Sequence, residues 1–246
     1  GLFSGSLIVM LPFFSNMLAK DASKEEMSNV LSYVLYVIFV FSSPFIILFF
    51  MFSHAIMLSV FPSYTSVYLY IALMSISIFL SMIGSPSSSL VVSRGKVKTV
   101  LIFSSIIGIS ELAFMFLLIP KFGAYGAIAS LYFIGVAISD FLYIRETVKY
   151  GIRIKASRIY RVVIADIALA LVFLPLLLSS IYTTTKLVLS IAVLFVSYPP
   201  LLALVKGVSK DDAERIKRLT KGLPIVGKFI GALAEYAKIV AVYLYG

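Results

Sequence analysis

The sequence predicts an all-α fold, a polytopic bundle of transmembrane helices, and three observations carry that prediction. First, 61% of its 246 residues are hydrophobic and only 13% are charged, against roughly 45–50% and about 25% in a soluble domain. Mean hydropathy is +1.07. A soluble core of this size has no room for so much apolar surface, so lipid is the solvent. Second, the apolar residues form continuous runs near the roughly 20 residues that cross a hydrocarbon core as a helix; a membrane β-barrel would show short alternating segments. Third, Lys and Arg are divided unevenly among the connectors, as the cytoplasmic side of a multi-pass protein requires.

The runs are residues 1–19, 30–52, 67–92, 99–119, 122–144, 161–182 and 186–205, about seven spans. The first begins without Met and is already apolar, with no signal peptide before it. It reads as the C-terminal part of a longer polypeptide, or as a processed form. The connector Lys20–Asn29 is placed on the cytoplasmic side. The cytoplasmic face then holds Lys20 and Lys24, the cluster Arg94, Lys96 and Lys98, six cations between Arg145 and Arg161, and seven between Lys206 and Lys228, 18 in all. Only Lys121 and Lys186 fall on the other face. The net charge of +10 therefore reads as topology, not as a nucleic-acid surface.

Between the second and third runs, SHAIMLSVFPSYTS (Ser53–Ser66) has no Lys or Arg and suggests a short helix in the outer interface. The chain divides into a transmembrane helical lobe, 1–206, and an amphipathic cytoplasmic or interfacial tail, 207–246. In the tail, Ser209–Lys221 reads as a helix capped by Ser209, with Asp211 and Asp212 in its first turn and cations toward its end. Beyond Pro224, Val226, Phe229, Ile230, Leu233, Ala237 and Val240 share a face, as in an interfacial helix; an eighth span is the alternative.

Composition removes several chemistries. With no Cys and a single His, His54, there is no disulfide, no thiol nucleophile and no multi-His metal site. No P-loop, nucleotide fingerprint or Ser/His/Asp arrangement is present. No metal, no cofactor and no enzymatic activity are expected.

Four constellations remain. In IPKFGAYGAIAS (Ile119–Ser130) Pro120 is expected to end the fourth span. The next helix opens with two small-xxx-small pairs, Gly123 with Ala127 and Gly126 with Ser130. Such pairs let helices approach closely in lipid, so this face reads as helix packing, with a ligand contact as the alternative. In SMIGSPSSSLVV (Ser81–Val92) Pro86 frees a carbonyl one turn back. The serines can bond their own backbone, or Ser85, Pro86 and Ser88 can line a water-filled cavity. Ser42-Ser43-Pro44 makes a similar break in the second span, and broken helices near the midplane are typical of secondary transporters. Pro44 joins the cavity candidates.

Three carboxylates fall inside spans, where a charge costs about 2.5–3.5 kcal/mol on insertion scales. Asp140 and Asp166 lie near cytoplasmic ends, within reach of Arg145, Arg161 or headgroup water, and read as structural. Glu111 lies twelve residues into its span, with only Lys121 as a basic neighbour within ten positions. It is the candidate for proton or cation coupling; the alternative is a neutral acid bonded to a neighbouring helix. The six-cation loop Arg145–Arg161 fits topology and attraction to anionic lipid.

The order of these features resembles the C-terminal half of the polysaccharide-biosynthesis flippases, in the superfamily that also holds the MATE drug exporters. The resemblance runs through LPFFS (Leu11–Ser15), the Pro44 span, FSHAIMLSVFPSY (Phe52–Tyr64), SRGKVK (Ser93–Lys98), LLIPKFGAYGAIAS (Leu117–Ser130) and KGVSKDDAERIKRL (Lys206–Leu219), of which the hairpin is the most specific. The family often has glycine where Pro62 stands and asparagine where Glu111 stands, so no family role is carried onto Glu111. The resemblance implies one lobe of a two-lobed, multi-pass transporter of the cytoplasmic membrane. That lobe would alternate access for a lipid-linked oligosaccharide under an ion gradient. Its partners would be the bilayer, the lipid-linked oligosaccharide, and an N-terminal lobe in the same longer chain or a second copy. A cation-coupled multidrug exporter lobe is the nearest alternative; a membrane-bound glycosyltransferase and a non-transporting structural subunit are alternatives of other classes.

Overall fold

A computed structural model describes residues 2–207 together with Tyr236 and Ile239, with side chains from Met10 onward. The expected tail helices, the Asp211–Asp212 pair and the choice between an interfacial helix and an eighth span lie outside the described residues.

Among the described residues the fold is all-α. The helices are α1 (Leu2–Ala19), α2 (Lys24–Met51), α3 (Ser53–Val60), α4 (Tyr68–Ser93), α5 (Val97–Phe122), α6 (Ala124–Ile128), α7 (Gly135–Lys149), α8 (Ile159–Leu178) and α9 (Thr183–Leu204). A π-turn, Ala129–Ile134, joins α6 to α7 in one helical run, and a 3₁₀ turn, Pro62–Val67, leads into α4. Six of these runs are long and apolar enough to cross a membrane: Lys24–Met51, Pro62–Ser93, Val97–Phe122, Ala124–Lys149, Ile159–Leu178 and Thr183–Leu204. The protein is a polytopic helical membrane bundle. The first apolar run is also helical, and Met10–Ala19 is its part with described side chains.

Two sequence expectations need correction. Pro120 does not end its helix: α5 continues through Lys121 and Phe122 and stops at Gly123, whose φ of 56° and ψ of −131° no side chain tolerates well. The Gly123 N–H closes the turn on the Ile119 carbonyl at 2.8 Å. Nor are the second and third spans broken. Pro44 and Pro86 lie inside continuous helices, because neighbouring groups in a membrane helix can take over a carbonyl that a proline leaves. At Pro86 the Ser85 hydroxyl does this, donating to Met82 O at 3.5 Å.

The chain forms two compact units. Unit 1 comprises Gly1–Phe39 and Leu69–Lys155; unit 2 comprises Val40–Tyr68 and the chain from Ala156 onward. α2 contributes its first half to one and its second half to the other.

In unit 1, Phe14, Met27, Leu31, Leu90 and Ile152 form a buried cluster. Ile152 brings the basic loop after α7 down onto α2. Two α2 serines, one turn apart, fix the loop backbone there. Ser28 Oγ accepts the Arg153 N–H at 3.0 Å and Ser32 Oγ accepts the Lys155 N–H at 2.8 Å. Each hydroxyl donates in turn to the carbonyl four residues back. Part of the basic loop is therefore clipped onto the bundle. Replacing both serines by alanine strands two backbone donors, at about 1–3 kcal/mol each where they are buried. Limited proteolysis after Arg153 and Lys155 is expected to accelerate in the double variant; cleavage at the parental rate would show that the clip does not hold the loop.

α5 differs from its neighbours in having no buried residue along its 26 positions. It packs through its hairpin with α6. The Gly126 position lies so close to the Leu118 carbonyl that a Cβ there would overlap it, and Ile119 N would be 2.8 Å away.

In unit 2, α8 and α9 form a hairpin. Phe173 stacks edge-on to Phe52 at 5.2 Å, and Phe195 to Phe45 at 6.0 Å. The Lys186 ammonium donates to the carbonyls of Leu177 and Ser179 at 3.0 and 2.8 Å. It caps the C-terminal end of α8, where a cation suits the helix dipole.

Candidate functional site

The site lies within unit 1 and is built from three helical runs. On α4, Ser81, Gly84, Ser85 and Ser88 recur at steps of three and four, which is one helical face. On α7, Gly135 and Ser139 stand four apart with Asp140 the next residue, and α5 adds Ile107 and Glu111 one turn apart. Together with Leu131 and Val136 these residues line a cavity of about 400 Å³. Its polar lining is two carboxylic acids and four serines; the rest is aliphatic or glycine.

Two glycines let the acids in. The Asp140 carboxyl lies against Gly84 so closely that a Cβ at 84 would overlap it and stand 2.8 Å from the Asp140 Cα. Glu111 lies against Gly135 in the same way: a Cβ there would overlap Oε1 and stand 2.9 Å from Cδ. The π-turn immediately before Gly135 widens the helix, as such turns often do at functional sites. The Tyr132 carbonyl within it accepts the Ser77 hydroxyl of α4, so the α4 face and the turn are tied together beside the cavity.

The serines mostly satisfy their own helix. Ser81 donates to Ile78 O at 2.8 Å, Ser88 to Ser85 O at 3.0 Å and Ser89 to Ser85 O at 3.2 Å. Their oxygens keep free acceptor capacity. Two carboxyls and four hydroxyls are hard oxygen donors, the chemistry that suits a proton or a small alkali cation rather than a soft metal. Among the described residues no three His, Cys, Asp or Glu side chains lie together as a metal cluster.

The ion pairs among the described residues are Lys149 with Glu146 at 3.1 Å and Lys155 with Glu25 at 3.9 Å. Asp140 and Asp166 therefore do not pair with Arg145 and Arg161, which removes one of the two partners expected from their positions in sequence, the other being headgroup water. Asp140 turns toward the cavity. Asp166, in unit 2, is 3% exposed and accepts the Ser43 hydroxyl at 2.9 Å. Arg161 donates to the Lys206 carbonyl instead.

Of the other candidates, Ser85 and Ser88 line the cavity with Glu111. Pro86 is buried inside α4 and does not line it, and Pro44 belongs to unit 2. Gly126 and Ser130 are buried, and Ala127 is half-buried. Gly123 is exposed, and a Cβ there would touch nothing within 4 Å. It makes the turn and takes no part in a packing face. Asp140, Ser139 and Gly135 are members of the site that sequence reasoning missed, and Ser81 and Gly84 lie in the Ser81–Val92 stretch that it offered as a cavity wall. A signal was available in outline, since the adjacent polar pair Ser139-Asp140 begins one turn after Gly135, as Ser85 lies one turn after Ser81.

At the end of unit 1 that carries the basic loop after α7, the Arg94 guanidinium stacks on the Tyr150 ring, 3.9 Å from its centroid. The Tyr150 hydroxyl donates to Glu146 at 2.9 Å. Burial, and then the Glu146 carboxylate, raises the Tyr150 hydroxyl above its usual range, so it remains a donor. No family model, no curated protein and no solved structure matches the chain.

Proposed function

We propose that the chain is a lobe of an ion-coupled transporter that moves a lipid-linked oligosaccharide across the cytoplasmic membrane by alternating access, with its tail on the cytoplasmic side. The observation that carries this reading is the cavity holding Glu111 and Asp140 inside apolar helices, with no cation among its lining residues. Acids in that position are costly, and in membrane proteins they mark ion or proton pathways. Glu111 is the coupling group and Asp140 its partner. At about 400 Å³ the cavity suits a small ion and its water, not a lipid-linked sugar chain, which would travel outside it. Arg94, Lys96 and Lys98 at the cytoplasmic end supply the positive potential that draws a pyrophosphate-linked substrate toward that face.

The acidic lining favours a second reading, a cation-coupled multidrug exporter lobe. An aromatic lining would strengthen it, and here the apolar lining is Ile107, Leu131 and Val136.

Depleting the protein in its own cell separates the two. The first reading expects lipid-linked oligosaccharide to accumulate on the cytoplasmic leaflet, measured by protection from an externally added glycosidase. Unchanged accumulation, together with new sensitivity to cationic dyes, would support the exporter instead.

A further inference from the structure

The most buried carboxylate of the described residues is not in the cavity. Asp166 sits in unit 2, on the first half of α8, at 3% exposure. Two hydroxyls reach it, from two other helices. Ser43 of α2, fully buried, donates to Oδ1 at 2.9 Å. Tyr198 of α9 lies 3.4 Å from the Ser43 oxygen and also reaches the carboxyl. Oδ2 is buried without any hydrogen-bond partner. No Lys, Arg, His or second carboxylate faces the group from α2, α8 or α9: Ser43 and Tyr198 are its polar neighbours, and the nearest cation on its own helix, Arg161, is committed to the Lys206 carbonyl.

Among the described residues, an ionised carboxylate in such a place has no countercharge and one oxygen without a donor. A neutral acid leaves one hydroxyl short of a partner, which is the smaller penalty. The chain also builds the surroundings in an unusual way. Ser43 is followed by Pro44, and Tyr198 by Pro199 and Pro200. Both groups that hold the carboxyl therefore stand at points where proline has removed the N–H that would brace the helix.

We infer that Asp166, Ser43 and Tyr198 form a proton-binding site in unit 2, with the proton on Asp166 Oδ2. Loss of that proton creates a buried charge that only water can relieve. α2 and α9 then loosen at Pro44 and at Pro199–Pro200 to admit it. The site is separate from the Glu111–Asp140 cavity and does not depend on what the transporter carries.

Infrared spectroscopy of the full chain in lipid nanodiscs, labelled with ¹³C-aspartate, reads the site directly. Near neutral pH the expected result is a protonated-carboxyl band that shifts in Ser43→Ala and is lost in Asp166→Asn. The band should persist in Glu111→Gln/Asp140→Asn. Ser43→Ala keeps the acid, so the test stands even if Asp166→Asn fails to fold. Raising the pH should remove the band and increase hydrogen exchange in α9 together. A spectrum with no band that responds to either substitution overturns the inference. So does a band that sodium removes at constant pH, which would make the group a metal-cation ligand. Loss of the band with unchanged exchange in α9 would overturn the link to helix packing.

Discussion

Transport by the Glu111→Gln protein is expected to fall to the level of protein-free vesicles, with the amount of inserted and folded protein unchanged. Gln has the size of Glu and can occupy the same space beside Gly135, but it cannot gain or lose a charge. Replacing an ionisable group in a span by a neutral amide also removes the cost of burying its charge, so the variant should enter the membrane at least as well as the parent. Asp140→Asn should have the same direction of effect, because both acids line one cavity. Parental transport rates in Glu111→Gln would remove Glu111 from the coupling mechanism.

The second large effect is structural. Gly84→Ala should destabilise the protein by about 1–3 kcal/mol through overpacking, read as a lower thermal midpoint in detergent. The new Cβ would stand 2.8 Å from the Asp140 Cα. That atom is backbone, so no side-chain rotation relieves the clash, and α4 and α7 must part. The gain in helix propensity, about 0.8–1.0 kcal/mol for Gly to Ala, offsets the loss only in part. Two other glycines make the contrast. Gly135→Ala meets the flexible end of Glu111, so it should displace the carboxyl and impair transport with little change in midpoint. Gly108→Ala meets nothing within 4 Å and should leave the midpoint unchanged or raise it. Equal midpoints for Gly84→Ala and Gly108→Ala would contradict the close approach of α4 and α7.

The fold class could be read from the chain because lipid imposes a simple rule: long apolar runs become helices whatever their partners. The helix ends were harder. Pro120 looked like a stop, yet α5 runs on to Gly123; the backbone sign at glycine decided the end, and proline did not. The connector Ser53–Ser66 was legible as a short helix from its apolar residues, and α3 forms there, followed by a 3₁₀ turn.

The site was half legible. Glu111 stood out by isolation, since a lone acid in mid-span needs an explanation from the sequence alone. Asp140 did not, because its distance along the chain from Arg145 suggested a pairing that the helix orientation does not make. Gly84 and Gly135 carry no signal of their own; their role exists only where a carboxyl from another helix comes to rest on them. Ser43 and Asp166 are 123 positions apart, and no local pattern links them.

In the proposed mechanism, an ion gradient acting on the Glu111–Asp140 cavity moves a lipid-linked oligosaccharide through the membrane. The most direct measurement is transbilayer movement of such a lipid in vesicles holding the protein as the cell makes it, followed with and without a proton or sodium gradient. Movement should need the gradient and be lost in Glu111→Gln. Movement that is equally fast without the gradient and in the variant, or no movement under any gradient, would contradict this mechanism.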